Sequence, residues 1–155
     1  MTNRPDFPTL VHAIDARQGL QTHGYTFLDR DTEGNFYSFD KLREEAMRRA
    51  AHFRSYGLKK GDRVAMVIPE GEDFVPTFLG AVWAGIVPVP LYPPLSLGKL
   101  DAYIDTLISI LTKSRPTYVV TSTKVQTVIW GGISKVPSIK GVITTEELLQ
   151  RGARL

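Results

Sequence analysis

The chain contains no cysteine among its 155 residues. That absence removes thiol nucleophiles, disulfides and thiolate metal sites together, and it agrees with a reducing, cytoplasmic setting. No apolar run approaches the roughly 18 uncharged residues that a membrane-spanning helix needs. The first ten residues, MTNRPDFPTL, lack the apolar core of a signal peptide. Charge of one sign is also scarce: 19 Lys and Arg oppose 16 Asp and Glu, a net charge of +3. The basic residues are scattered along the chain, so a nucleic-acid partner is not expected; such a surface needs clustered charge interleaved with stacking aromatics.

Chemical signatures are missing too. No Gly-x-Gly-x-x-Gly follows a strand, and no Gly-rich loop ends in Gly-Lys-Ser/Thr, so neither a dinucleotide nor a P-loop site is indicated. Gly98-Lys99 lacks both the upstream glycine and the following hydroxyl. There is no Gly-x-Ser-x-Gly elbow. His12, His23 and His52 lack metal-ligand spacing. The residues alone therefore nominate no catalytic, cofactor-binding or metal-binding group.

What is present is a pattern of elements. Apolar residues at 43% and charged residues at 23% define a globular composition, and the length suits one core. Thr9 is placed to cap a short helix over 10–17. Two aromatic-rich runs, 25–28 and 35–39, flank an acidic turn at 29–34 and predict a β-hairpin. Ser38 or Asp40 can cap the next helix, which runs to about Tyr56 with Leu42, Ala46, Arg49/Ala50 and Phe53 on one face and Gly57 at its end. His52 falls off that face and is expected in solvent. Residues 63–68 read as a strand buried on both faces.

Glu70, Glu72 and Asp73 cluster where the next helix begins, and negative charge there complements the helix dipole; that role is favoured over acid–base catalysis. Pro76 fits only in a first turn, which sets the helix at 72–84. Residues 86–92, IVPVPLY, form a strand whose Pro88 and Pro90 lack N–H groups on one edge. Such a strand belongs at a sheet edge, or beside a neighbour that departs early. Ser96 can cap a helix over 97–113, with Leu97, Leu100, Ile104, Leu107 and Leu111 on one face. A strand at 118–121, a helix at 124–129, a strand at 141–144 and a helix at 146–150 complete the chain.

The fold class is therefore α/β: a doubly wound, mostly parallel sheet with flanking helices over 41–155, preceded by a helix and hairpin over 1–40. Ligands of open α/β sheets gather at the carboxyl ends of the strands, here 69–71, 92–96 and 122–124.

The run FYSFDKLREEAMRRAAHFRSYGLKKGDRVAMVIPEGEDFVPTFLGAVWAGIVPVPLYPP, continuing into LSLGKLDAYIDTL, resembles the N-terminal part of the adenylate-forming superfamily. Pro-Leu-Tyr-Pro-Pro leading into Leu-Gly-Lys-Leu is closest to its fatty acyl-AMP ligase and long-chain acyl-CoA synthetase branch. The resemblance covers about residues 25–145. It implies an enzyme that uses ATP and Mg²⁺ to convert a fatty acid to acyl-AMP, then passes the acyl group to a phosphopantetheine thiol on an acyl carrier protein or coenzyme A. The superfamily's phosphate loop, ribose-binding aspartate, adenine-contacting motif and catalytic lysine have no counterpart in these residues.

The resemblance thus implies an incomplete N-terminal subdomain, inactive by itself, whose first partner is the remainder of its own enzyme. The end of the chain, directly after a helix, reads as a cut. Exposed apolar helix faces are then expected to drive self-association. Tyr92, Pro93, Pro94 and Ser96 are the candidate wall of an acyl pocket, against the alternative that they only turn the chain. The competing functional class is a stand-alone interaction or regulatory module that keeps the fold without the chemistry.

Overall fold

The structure, a computed structural model, describes residues 6–29, 31–94 and 97–150. Thr9 accepts a hydrogen bond from His12 N and starts α1, Leu10–Asp15. β1, Gly24–Asp29, and β2, Thr32–Ser38, pair antiparallel as the expected hairpin. The strands run further than expected and consume most of the acidic turn. A register shift between Phe27 and Asp29 and a positive φ of 84° at Gly34 let the pairing continue. A side chain at Gly34 would bring Cβ within 2.5 Å of the Phe27 carbonyl oxygen.

Ser38, not Asp40, caps α2, Phe39–Ser55, by accepting from Lys41 N at 3.1 Å. Asp40 instead accepts from Gly19 N at 2.9 Å and ties α2 to the preceding loop. Leu42, Ala46, Ala50 and Phe53 are buried as their spacing requires. His52 is a correction, since only 3% of it is exposed. α3, Gly71–Trp83, lies along α2. Arg49, on the expected face, is buried, and His52, three residues further, borders that face rather than opposing it. Gly80 makes this approach possible, because a Cβ there would lie 2.5 Å from Arg49 Cβ and 3.0 Å from the Ala46 carbonyl oxygen. The buried Arg49 guanidinium donates to Thr77 Oγ1 at 3.2 Å and to the Glu45 carboxylate.

The helix α3 begins at Gly71, so Pro76 sits in the second turn rather than the first. The helix forgoes the hydrogen bond that residue 76 would give to the Glu72 carbonyl. Four strands form one parallel sheet in the order β4-β3-β5-β6: Val87–Pro90, Arg63–Val67, Tyr118–Thr121 and Gly141–Thr144. β4 is an edge strand, as its prolines demand. Val87 N and Leu91 N donate inward to the Asp62 and Met66 carbonyls, which leaves the Pro88 and Pro90 nitrogens on the open edge.

Helices cover both faces. Val64, Met66, Val120 and Ile143 pack with Phe53 of α2, Ala81 of α3 and Leu148 of α6, Thr145–Gln150. Ala65, Val67 and Val119 pack on the other face against α4, Leu100–Ser114, and α5, Thr123–Ile133. The helix expected over 97–113 is divided. A 3-10 turn at Leu97–Lys99 precedes α4, because Lys99 leaves helical geometry at φ −129° and ψ 29°. Leu107 and Leu111 are buried, while Leu100 and Ile104 are partly so. The Ser96 cap lies outside the described residues.

α5 outruns the expected 124–129 and passes through Gly131 and Gly132. Packing explains it: a Cβ on Gly132 would lie 2.8 Å from an Ile104 methyl, so glycine here seats α5 on α4. Among the described residues, no helix is long and apolar enough to cross a membrane.

Candidate functional site

The connection from β3 to β4 runs to one side of β3, and the connection from β4 to β5 returns past it to the other. The carboxyl ends of β3 and β5 therefore flank the switch point of the sheet, where doubly wound folds open a crevice. Thr121 Oγ1 donates to the Val67 carbonyl at 2.7 Å and joins the two strands beneath the crevice. Ser122 caps α5 by accepting from Val125 N.

Carboxylates line the mouth. Glu146 accepts from Thr123 N at 3.1 Å through both oxygens. Burial works to raise its pKa, but hydrogen bonds from the backbone of Glu146 and Thr123 and from the Thr123 and Thr145 side chains outweigh burial, and the net shift is downward. Glu72 accepts from Asn35 Nδ2 at 3.0 Å and from Tyr37 Oη at 2.8 Å. Those two bonds lower its pKa and clasp the hairpin to the first turn of α3. Burial raises the pKa of the half-buried Asp73, with Glu70, Glu72 and Glu146 adding to the rise and Arg49 opposing it. The acids of 70–73 thus do more than complement a dipole: Glu72 is a structural fastener.

This donor set does not fit a nucleoside triphosphate. Phosphate oxygens need N–H groups, lysine or arginine, and the crevice sets one exposed lysine, Lys124, against the carboxylates Glu72, Asp73 and Glu146. Among the described residues, no group of three or more His, Asp or Glu side chains could hold a metal ion. His12 and His23 make local contacts to Thr9 and Thr22, while His52 is buried in α2.

The apolar candidate lies at the carboxyl end of β4. Tyr92 is 85% exposed, and Pro93 and Pro94 are half-buried. Ser96 lies outside the described residues. Two hollows flank Tyr92. One, of about 420 Å³, is walled by Ile68, Phe74, Pro90 and Leu91. The other, of about 260 Å³, is walled by Tyr103, Thr106, Leu107 and Ile110. Tyr103 Oη donates to the Tyr92 carbonyl at 2.7 Å and holds the turn in place. Burial pushes the Tyr103 phenol up to about 12.

Sequence reasoning named Tyr92 and its prolines but missed Phe74, Tyr103 and Ile110. Tyr103, Thr106 and Ile110 recur at steps of three and four, one position aside from the buried stripe of α4. That periodicity was the available signal. A larger hollow of about 750 Å³ lies between the hairpin and the β3–α3 loop, but Glu33, Glu70 and Glu72 in its wall make it a poor place for an alkyl chain.

A parallel, doubly wound layer with helices on both faces places the protein in the α/β class. The chain belongs to the AMP-binding enzyme family, which matches residues 15–153. It is 34% identical over 118 residues to a long-chain-fatty-acid–AMP ligase of Mycobacterium marinum, covering 70% of this chain and 19% of that protein. A long-chain-fatty-acid–AMP ligase of Mycobacterium tuberculosis is 29% identical over 131 residues, 79% of this chain and 22% of its own length. Among solved structures, one from a study of fatty acyl-adenylate ligases of E. coli and L. pneumophila superposes with a TM-score of 0.85 at 30% identity. It covers 93% of this chain and 26% of its own. The chain thus spans about a fifth of the length of the curated relatives it matches.

Proposed function

We propose that these residues are the N-terminal part of an ATP-dependent ligase that activates a fatty acid as acyl-AMP and delivers the acyl group to a phosphopantetheine thiol, on a carrier protein or on coenzyme A. The observation that carries this reading is the family match across residues 15–153, with fatty-acyl-AMP ligases among the relatives. Activation makes chemical sense of the class: a carboxylate is a poor electrophile, and adenylation replaces oxide with AMP as leaving group.

Within that reaction, these residues build the scaffold and one side of the acyl site. Tyr92, Pro93 and Pro94 contribute its wall, and the hollows beside Tyr92 supply apolar surface that an alkyl chain can cover. Residues 1–40 act as a helix-and-hairpin appendage to the layer formed by 41–155. ATP, Mg²⁺ and the catalytic groups belong to the remainder of a longer polypeptide, which is this part's first partner, and the enzyme works in the cytoplasm.

The test is pyrophosphate exchange with a fatty acid and ATP. The 155-residue chain alone should be silent and should not bind ATP at micromolar concentration by calorimetry. A polypeptide that continues to the length of the relatives should be active. Tyr92→Ala in that longer protein should change the preferred chain length. Exchange by the 155-residue chain, or indifference of the longer protein to fatty acids, would overturn the reading.

A further inference from the structure

Basic residues scattered in the sequence converge in space at the amino-terminal end of the sheet. The strands enter level with one another. Val87 N donates to Asp62 O, Thr117 N to Arg63 O and Lys140 N to Thr117 O, each at 2.8 Å. The segments leading into the strands carry Lys59 and Lys60 before β3, Lys113 and Arg115 before β5, and Lys135 and Lys140 before β6. Arg63 begins β3, and its guanidinium reaches the Ser114 carbonyl at 3.3 Å, joining the end of α4 to this row. Arg54, near the end of α2, reaches the Trp83 carbonyl at the end of α3. All eight side chains are exposed.

Among the described residues, the ion pairs use Arg43, Arg48 and Arg49, so none of these eight is neutralised by one. Asp62, the acid in their midst, is occupied in accepting from Lys59 N at 2.7 Å. Helix C-termini attract basic residues, and that accounts for Arg54, Lys113, Arg115 and Lys135. It does not account for Lys59, Lys60, Arg63 and Lys140, which lie at strand entries.

We propose that this end of the sheet is a docking face for an anionic lipid surface. The row of strand entries is level, which suits a plane better than a groove-filling partner. The nearest aromatic rings, Tyr56 and Tyr118, are half-buried and packed edge to face on each other at 5.7 Å, so they offer no stacking platform to nucleic-acid bases. A shallow hollow of about 390 Å³ beside Arg115 includes Ser138, whose buried Oγ has no hydrogen-bond partner among the described residues. Docked this way, the carboxyl ends of the strands and the Tyr92 notch face away from the bilayer. The proposal rests on charge placement and is independent of the acyl-activating reading.

The test is co-sedimentation of the 155-residue chain with vesicles at about 0.15 M salt, where screening already removes weak long-range attraction. Binding is expected to mixed phosphatidylcholine–phosphatidylglycerol vesicles, not to pure phosphatidylcholine, and it should fall as salt rises. The quadruple variant Lys59→Gln, Lys60→Gln, Lys113→Gln and Lys140→Gln should lose binding, at roughly fivefold per charge. Lys99→Gln with Lys124→Gln, at the opposite end, should leave it unchanged. If the quadruple variant does not fold, the two pairs Lys59/Lys60 and Lys113/Lys140 changed separately should each weaken binding partway. Equal binding to neutral vesicles, retention by the charge variants, or equally strong binding of an RNA oligomer at the same salt would overturn the proposal.

Discussion

Tyrosine and glutamate side chains at the two ends of the hairpin clasp respond to pH in opposite directions. Burial, reinforced by the hydrogen bond to Glu72, pushes Tyr37 up to about 12, and burial alone brings Tyr103 to about 12. A raised folded-state pKa means that the folded chain holds its proton after the unfolded chain has lost it near 10. The contribution of both phenols is therefore whole below pH 10 and is lost as pH rises from 10 towards 12. Ultraviolet titration should show Tyr37 and Tyr103 ionising late, and Tyr103→Phe should remove the Tyr103 contribution. Losing its bond to the Tyr92 carbonyl should lower stability by about 1 kcal/mol.

Glu72 works the other way. Its pKa is depressed, so its contribution is present above pH 4.5 and disappears as pH falls further. Glu72→Ala should cost about 1 to 2 kcal/mol in urea denaturation at neutral pH. The difference from wild type should shrink in acid. None of this was readable from the chain, because Asn35, Tyr37 and Glu72 are brought together only by the tertiary fold.

At the scale of elements, two helical glycines should answer substitution with opposite signs. Gly80→Ala forces a Cβ to within 2.5 Å of Arg49 Cβ and should destabilise by about 1 to 3 kcal/mol as α3 lifts from α2. Gly131→Ala meets nothing within 4 Å and should stabilise α5 by about 0.5 to 1 kcal/mol. Thermal or urea midpoints check both. The same contrast explains what was legible. Strands β5 and β6 were placed to the residue, because short β-branched runs bounded by turn residues carry their own signal. The helices were placed with errors at their ends and on their faces. His52 was misplaced because an apolar stripe marks the centre of a buried face and not its polar border, three residues past Arg49. Beside the candidate wall, Tyr92 was nominated through its prolines. Tyr103 was missed because its role is a hydrogen bond to a backbone carbonyl, to which side-chain patterns are blind.

At the scale of the whole molecule, the sheet has two unlike borders. β6 offers four residues, GVIT, with every backbone N–H intact. β4 offers Pro88 and Pro90 on its outer side. Replacing both prolines by valine should turn β4 into a competent pairing edge, and sedimentation should then show new concentration-dependent oligomers. Addition to this sheet consequently has a polarity. Any further strand, whether from a longer polypeptide or from a second molecule, can be accepted beside residues 141–144 and is refused beside residues 87–90. Growth of the sheet then has one open direction, away from the Tyr92 notch, which leaves that side to be closed by something other than a strand.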